Sequence, residues 1–359
     1  MSRPILRDLS DWTGVRGPTA ILVLVLGLAF IVTACAPLST LLSRPILNIG
    51  DGRFFATPDD ALPTGIAWLS NPNEILVSLG LSGPLPDRYP LYVLTNSASQ
   101  LTPVQMSDDP TCNGVQRNNA RLLPDGRVGF IQVCLGDRAS LDDHLMAYDP
   151  RNSQTTQLLP YHIPTASGTF DMAPDMQRGI IDHGDRLFEK IDWLEPTVSQ
   201  PIPVQLALAE WPSWSPDGKL IALIGAPNDH GQTGVDRLGL PKNIYLMQPS
   251  DLALRLLVAG VAEARTPEWS PNGRWLLVPM RFEEARLGLW LVDTTSGRTY
   301  HLLQTSGDVM NVSWSPDAKA IAVSIDGWAD QGRPGGQRTG LYFFQTPNLG
   351  KLTNTVSGS

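Results

Sequence analysis

Residues 214–225 read WSPDGKLIALIG, and this pattern of a tryptophan, a proline-containing turn and an apolar run recurs along the chain. Two close copies follow, WSPNGRWLLVP at 269–279 and WSPDAKAIAVSI at 314–325. Weaker copies stand at 68–73, 123–127 and 173–175. The prolines of the six copies lie about 50 residues apart, and a period of that length is typical of repeat architectures. The sequence therefore predicts six structural units of one kind.

The residue types of the motif predict a tight turn between two strands. In the copy at 216–218, proline fixes φ near about −65°, aspartate suits the next position, and glycine accepts a left-handed conformation without steric cost. The apolar runs on either side then form a hairpin. Ala318 stands where the other strong copies have glycine, so we expect local strain in the last turn.

A second predicted hairpin follows each turn, so each unit supplies four short strands. The six matching segments are LYVLTNSASQLTPV, LMAYDPRNSQTTQLL, LFEKIDWLEPTVSQPIPV, IYLMQPSDLALRLLV, LWLVDTTSGRTYHLL and LYFFQTPNLGKLTNTV. Four strands at this period describe one blade of a β-propeller. We therefore predict an all-β fold, a single six-bladed β-propeller of four-stranded antiparallel blades spanning 61–359. The predicted blades are 61–110, 111–164, 165–209, 210–264, 265–309 and 310–357.

The composition agrees with this fold and excludes one class of function. The chain has 32 glycines and 31 prolines in 359 residues, and prolines this dense would interrupt helices of ordinary length. Its formal net charge is −8. A sequence-independent nucleic-acid binder needs a basic surface, so no nucleic-acid partner is expected.

The repeat resembles the WD-like repeat of TolB-type propellers, in which the tryptophan, the Ser-Pro-Asp-Gly turn and a lysine recur from blade to blade. The resemblance covers about 61–357 and is most specific in blades four to six. It implies the propeller architecture and a tendency to bind other proteins in the cell envelope. It implies no particular ligand.

The N-terminal segment predicts export and lipidation. Residues 20–34 read AILVLVLGLAFIVTA, follow a weakly basic start and end at Cys35, which is the order of a secretory signal. Residues 32–35, Val-Thr-Ala-Cys, resemble the bacterial lipobox, in which the cysteine is acylated and becomes the first mature residue. The alternative is an uncleaved anchor helix, although the run is shorter than the ~20 apolar residues that normally span a bilayer.

This interpretation divides the chain into a lipoprotein signal peptide at 1–34, a lipidated tether at 35–60 and the propeller. The lipid, with palmitate among its acyl chains, would hold the protein to the cell membrane or the outer membrane, facing outside the cytoplasm. Blade six is expected to contain four strands of its own. The apolar residues at 45–57 would add a further outer strand that reinforces ring closure.

Cys112 and Cys134 lie within one repeat, and outside the cytoplasm a disulfide between them would persist. The inferred hairpin register, however, places Cys134 opposite residue 116 rather than 112. Two unpaired buried thiols therefore remain the alternative.

The longest connections of the sequence all join the second strand of a blade to the third, and these connections share one face of a propeller. Binding residues tend to lie in loops carried by a rigid scaffold, so this face is the predicted binding rim. The candidate rim residues are Asp143, His144, Asp229, His230, Arg237, Glu283, Glu284 and Trp328. The alternative for the charged members is that they are solvated loop charges.

No catalytic residue is assigned from the sequence. It contains no G-x-S-x-G nucleophile elbow, no C-x-x-C-H haem site and no phosphate-binding loop. The predicted function is a non-catalytic scaffold that binds proteins or envelope polymers, with no cofactor and no metal. The alternative is a propeller enzyme, lactonase-like or quinone-dehydrogenase-like, with a small-molecule site or a divalent cation in the central funnel.

Overall fold

Each repeat folds into one antiparallel sheet. The computed structural model describes residues 47, 49–50, 52–80, 90–95, 100–106, 114–135, 143–163, 168–183, 190–227, 241–282, 286–327 and 338–349. Within them, six sheets with the strand order of propeller blades follow one another along the chain. The prediction of an all-β, six-bladed propeller is confirmed.

The strand bounds follow the repeat. Blade one contains Pro63–Trp68, Glu74–Leu79, Tyr92–Thr95 and Thr102–Pro103. Blade two contains Gly114–Leu122, Val128–Leu135, His144–Asp149 and Gln154–Gln157. Blade three contains Phe170–Met172, Gly179–His183, Lys190–Leu194 and Ser199–Pro201. Blade four contains Leu206–Trp214, Ile221–Pro227, Lys242–Met247 and Leu254–Val261. Blade five contains Glu263–Ala264 and Glu268–Trp269, which share the inner position, then Trp275–Arg281, Gly288–Asp293 and Thr299–Leu303. Blade six contains Asp308–Trp314, Ala320–Asp326 and Gly340–Gln345, and a short 3-10 helix, Pro58–Asp60, precedes blade one.

The hydrogen bonds of the turn explain why serine belongs to the motif. The Gly218 amide donates to the Ser215 carbonyl at 2.9 Å, which closes the predicted turn. The Ser215 hydroxyl donates to the Asp217 carboxylate at 2.8 Å and accepts from the Leu220 amide at 3.0 Å, so one side chain fastens both ends of the hairpin. The turns that begin at Ser270 and Ser315 repeat this arrangement.

The last turn is strained, as the sequence predicts. Glycines at the equivalent position have φ of +85° at Gly126, +72° at Gly218 and +69° at Gly273. Ala318 adopts the same conformation with φ +57°, and Met176 does so in blade three with φ +58°. A side chain with a Cβ atom destabilises this left-handed conformation.

Replacing Ala318 with glycine should therefore stabilise the protein, by about 0.5–1 kcal/mol, because it removes the Cβ penalty at a position that already has positive φ. Gly218→Ala at the equivalent turn of blade four is the reciprocal control and should destabilise by a similar amount. Thermal or urea unfolding of both variants measures the difference. A loss of stability in A318G would show that the turn is not strained.

The hydrophobic core lies between the blades. Six separate clusters of buried apolar side chains fill the six junctions between neighbouring sheets. The motif tryptophans lie in four of these junctions, at Trp68, Trp214, Trp269 and Trp314, and two of them also bond to the preceding blade. Trp269 Nε1 donates to the Ser213 carbonyl at 2.9 Å, and Trp314 Nε1 donates to the Glu268 carbonyl at 3.3 Å.

The ring is closed by a strand from the N-terminal side. Arg53–Ala56 pairs antiparallel with Gly340–Gln345 and takes the outer position of blade six. The prediction that blade six supplies all four of its strands is therefore wrong for the described residues, and 53–56 belong to the propeller rather than to a tether. Because Arg53–Ala56 leads directly into blade one, its main-chain hydrogen bonds to blade six join the first blade to the last. They also cover the edge of Gly340–Gln345, which would otherwise be open.

The residues just before this strand also contact the propeller. The Leu47 amide donates to the His301 carbonyl on the outer strand of blade five at 2.8 Å. Ile49 is 8% exposed and joins the apolar cluster between blades five and six, and Phe55 joins the cluster between blades six and one. Ile49 and Phe55 thus connect this part of the chain to two neighbouring junctions.

Several predictions fall outside the described residues. These are the signal segment at 1–34, Cys35 and Cys112. Cys134 is disulfide-bonded and lies opposite Val115 in the hairpin register. Among the described residues, no helix is both long enough and apolar enough to cross a membrane.

Candidate functional site

The two faces of the propeller differ in the length of their connections. Short turns of the motif type join the first and second strands of every blade. On the opposite face, blade four connects Pro227 to Lys242 and blade six connects Asp326 to Gly340. Blade one connects Leu79 to Tyr92 on the same face. The strand bounds thus place the ends of these long connections on one face, as the sequence predicts.

Two of the eight candidate rim residues lie in the described part of the chain. His144 begins the third strand of blade two, its Nδ1 lies 3.1 Å from Gln157 Nε2, and its ring lies 4.5 Å from the ring of His162. Asp143, expected at the surface, is only 4% exposed, and its carbonyl accepts a hydrogen bond from the Ile163 amide at 2.9 Å. The other candidates, Asp229, His230, Arg237, Glu283, Glu284 and Trp328, lie outside the described residues.

The described part of the long-loop face carries paired charges. Lys242, at the start of the third strand of blade four, forms an ion pair with the buried Glu210 of the first strand. In blade five, Glu263 pairs with Arg265 and Arg281, each at 2.9 Å. Within these two groups every charged side chain has a partner of opposite charge.

The propeller axis carries a second charged group, which the sequence analysis missed. In each repeat, the residue just before the position of the motif tryptophan, which Leu122 and Met172 occupy in blades two and three, lies at the same place in the inner strand. Across the six blades this position holds Ala67, Arg121, Asp171, Ser213, Glu268 and Ser313. Three of the six are charged, and the three charged side chains meet.

Arg121 is the centre of this axial cluster, which consists of Arg121, Asp171 and Glu268. Its Nη2 lies 3.3 Å from Asp171 Oδ2 and 3.3 Å from Glu268 Oε2, and its Nη1 donates to the Phe170 carbonyl at 2.9 Å. Arg121 belongs to blade two and Glu268 to blade five, which are opposite each other in a ring of six. The ion pair therefore crosses the axis.

Burial perturbs both carboxyl groups of the axial cluster. It raises the pKa of Asp171, although Arg121 and the Trp214 and Met172 amides favour its ionised form. Burial raises the pKa of Glu268 to about 7; Arg121 acts in the opposite direction and the charge of Asp171 adds to the increase. One guanidinium thus faces two carboxyl groups in a poorly hydrated site.

The axial cluster separates two cavities. A small cavity of about 40 Å³ lies among the middle parts of the inner strands. A larger one of about 440 Å³, here called the axial funnel, opens toward the short-turn face. The axial funnel is lined by Arg121, Leu122, Leu123, Pro124, Asp171, Met172, Pro174, Ser213, Trp214, Ser215, Pro216, Glu268 and Trp269. Within the described residues, no group of three or more His, Cys, Asp or Glu side chains has metal-binding geometry.

Trp214, one of the residues that line the axial funnel, has a buried indole donor without an acceptor among the described residues. Trp214 is 6% exposed, and its Nε1–H makes no hydrogen bond in the described part of the chain. The equivalent indoles of Trp269 and Trp314 are both bonded to the preceding blade. The indole of Trp214 is held instead by packing against Trp193, with the ring centroids 6.0 Å apart.

Comparison with known proteins identifies the fold. No protein-family model and no curated protein sequence matches the chain. Similar solved structures include TolB from Acinetobacter baumannii, at 15% identity and a TM-score of 0.52 over 71% of this chain and 57% of TolB. The α-L-arabinofuranosidase Arb93A from Fusarium graminearum gives 11% identity and a TM-score of 0.52 over 85% of this chain and 99% of that enzyme. A chain of the Mitotic Checkpoint Complex gives 13% identity and a TM-score of 0.53 over 85% of this chain and 97% of that chain.

These similarities establish architecture and leave the activity open. One similar structure is an enzyme and another is part of a protein complex, so the shared fold alone does not select either function. The chain spans little more than half the length of TolB. In fold, the chain is a six-bladed β-propeller similar to that of TolB.

Proposed function

We propose that this protein is a lipid-anchored scaffold outside the cytoplasm that binds proteins or envelope polymers through its long-loop face. The observation that carries the proposal is the difference between the two faces: short turns on one, and the long connections of blades one, four and six on the other. A closed ring of six packed sheets holds the bases of these connections in fixed positions. Rigid presentation of loops suits binding, since little freedom is lost in the scaffold.

The lipid anchor is supported by the apolar run at 20–34 and by the lipobox-like residues that end at Cys35. Metabolic labelling with palmitate should label the full chain. Cys35→Ala should abolish the label and leave the apolar run at 20–34 attached to the chain, which then migrates at a higher mass than wild type. A wild-type chain that takes up no label and keeps residues 1–34 would support the anchor-helix alternative.

A pull-down from detergent-solubilised membranes tests the binding face. Wild type is compared with a variant whose connections at 228–240 and 328–337 are shortened, and we expect partners of wild type to be lost from the variant. The control is Lys219→Glu with Lys319→Glu on the short-turn face, where both lysine side chains are 80% exposed. Partners that still bind the loop-shortened variant but not the charge-reversed variant would place the binding site on the short-turn face and contradict this proposal.

A second candidate function is favoured by the axial funnel. Glu268 has a pKa of about 7 beside a cavity of about 440 Å³, and a carboxyl group titrating near neutrality is typical of acid–base sites. A lactonase-like or dehydrogenase-like enzyme would use this funnel rather than the loop face. The absence of any loop-dependent partner would favour this candidate, and metal analysis of the purified propeller would follow.

A further inference from the structure

We propose that the C-terminal segment 352–356 is a second outer strand for blade six, which replaces Arg53–Ala56 when that strand is withdrawn. The two segments are alternatives. Gly340–Gln345 pairs with Ala320–Asp326 on one side, so a single edge is left, and Arg53–Ala56 pairs along it. Residues 350–359 lie outside the described part of the chain. The proposal rests on the edge itself, on the turns of the other blades and on the sequence after Gln345.

Three blades close their last hairpin with the same kind of turn. In blade two, the Ser153 amide donates to the Asp149 carbonyl at 2.9 Å, and Ser153 has φ +59°. Blades four and five have the same arrangement, with φ +60° at Leu252 and φ +71° at Gly297. In each turn, the residue with positive φ is the fourth after the residue whose carbonyl accepts the hydrogen bond.

The sequence after Gln345 carries the residues of this turn. Residues 346–351, TPNLGK, align with 149–154 of blade two, DPRNSQ, and proline is second in both. Gly350 then falls at the position where Ser153 has positive φ. Glycine adopts that conformation without steric cost, so blade six contains the turn for a fourth strand of its own.

The turn also determines the register of the segment on the edge. In blade two, it pairs Asp149 with Gln154. The same spacing in blade six places Val356 opposite Leu341. Phe55 occupies that place in the structure, and its side chain is 5% exposed. The exchange therefore puts one apolar side chain where another is buried.

The described chain already approaches this edge. The Thr346 amide donates to the Lys319 carbonyl at 2.9 Å, so the chain still follows blade six after Gln345. Leu349, the last described residue, packs against the apolar cluster between blades five and six, and Phe54 of the closing strand packs against the same cluster. A short hairpin is therefore enough to bring 352–356 to the edge.

Arg53–Ala56 is the favoured occupant because of its buried side chains. The Phe55 ring contacts Phe343 edge-on at 5.1 Å, and Ile49, just before the strand, is 8% exposed. Valine buries less apolar area than phenylalanine. Segment 352–356 thus restores main-chain pairing without these contacts, so it pairs only after Arg53–Ala56 has left, and loss of the N-terminal strand remains costly.

The exchange would let the N-terminal side lengthen while the ring stays closed. Withdrawal of residues 47–56 adds up to about 35 Å of extended chain before blade one. This consequence for the distance from the membrane rests on the lipid anchor of the proposed function. The exchange itself does not, and its test gives the same result whether or not Cys35 is acylated.

The test compares thermal unfolding of the full chain in mild detergent as wild type, Phe55→Asp, Val356→Asp and the double variant. Phe55→Asp places an unpaired carboxylate at a buried position and so releases Arg53–Ala56. In wild type, Val356→Asp should change the melting temperature by less than about 1 °C, because the edge is occupied. In the Phe55→Asp chain, it should lower the melting temperature by a further 4 °C or more, roughly.

Two more variants separate strand formation from charge. Ser357→Asp adds the same charge one residue beyond the segment and should have no effect in either background. Gly350→Val disfavours the turn, because a β-branched side chain destabilises positive φ. It should reproduce the effect of Val356→Asp, with a clear loss only in the Phe55→Asp chain.

Hydrogen exchange provides a second measurement that does not need Phe55→Asp to melt cooperatively. Phe55→Ala weakens the closing strand without adding a charge. In that variant, the amides of 352–356 should exchange at least about tenfold more slowly than in wild type, while those of 53–56 exchange faster.

Three results would overturn the proposal. The first is an effect of Val356→Asp that is equal in the wild-type and Phe55→Asp chains. The second is an effect of Ser357→Asp as large as that of Val356→Asp. The third is unchanged exchange at 352–356 when the amides of 53–56 have lost their protection.

Discussion

Deleting residues 45–57 is expected to unfold the propeller at growth temperature or to lower its melting temperature by more than 10 °C, on the order of 5 kcal/mol. The deletion removes the outer strand of blade six and exposes the edge of Gly340–Gln345. It also removes the buried side chains of Ile49 and Phe55 from two blade junctions. The loss is comparable with the whole stability of many domains.

Circular dichroism or calorimetry of chains that begin at residue 36, 45 or 58 measures this effect. The chain from 45 is the control and should melt with the chain from 36. Phe55→Ala gives a milder test if the shortest chain fails to fold, with an expected loss of about 3 kcal/mol because the ring is 5% exposed and contacts Phe343 edge-on at 5.1 Å. A chain from 58 that melts within 2 °C of the control would show that Arg53–Ala56 does not hold the ring closed.

Arg121→Ala is expected to destabilise the protein by about 3 kcal/mol, the lower end of the range for breaking a buried ion pair, since the cluster is partly hydrated. It leaves two carboxyl groups in the axial site without their cation. Arg127→Ala is the control: its surface pair with Asp125 is more exposed, and the expected change is below about 0.5 kcal/mol.

The pH dependence distinguishes charge from packing in this variant. A carboxyl group whose pKa is raised on folding binds protons more tightly in the folded state, so stability falls as pH rises from the unfolded pKa to the folded one. For Glu268 in the wild type this window lies between about 4.5 and about 7. Arg121 lowers the pKa of both carboxyl groups, so without it the decline continues above pH 7.

The stability difference between wild type and Arg121→Ala should therefore widen from pH 5 to pH 8. Adding Glu268→Gln to the variant should recover part of the loss at high pH. Urea unfolding at several pH values provides the measurement. A difference that stays constant with pH would mean that Arg121 acts through packing alone.

The repeat predicts most of the fold because turn chemistry is local. Proline, aspartate and glycine specify the turn by their own conformational preferences, and the strand on each side follows from its apolar residues. Ring closure is a long-range property, and the sequence does not reveal which end supplies the last strand. Arg53–Ala56 is only four residues long, and the segment after Gln345 imitates the hairpins of the other repeats.

The axial cluster was overlooked for a different reason. Arg121, Asp171 and Glu268 lie far apart in the chain, and none belongs to a known motif. Alignment of the six repeats would have found them, because charge is unexpected at a position that holds alanine or serine in the other blades. The rim prediction used loop length, which locates a face but not the side chains that reach its surface, as the burial of Asp143 shows.

The closing strand also determines how the molecule responds to force. A pull on the chain before residue 47 first loads the hydrogen bond between Leu47 and His301, then the apolar contacts of Ile49, and then the pairing of Arg53 with Phe343. These contacts are loaded one after another, and the last of them is the strand pairing that joins blade six to blade one. Tension on the N-terminal side would therefore open the propeller between blades six and one while the other five sheets remain intact.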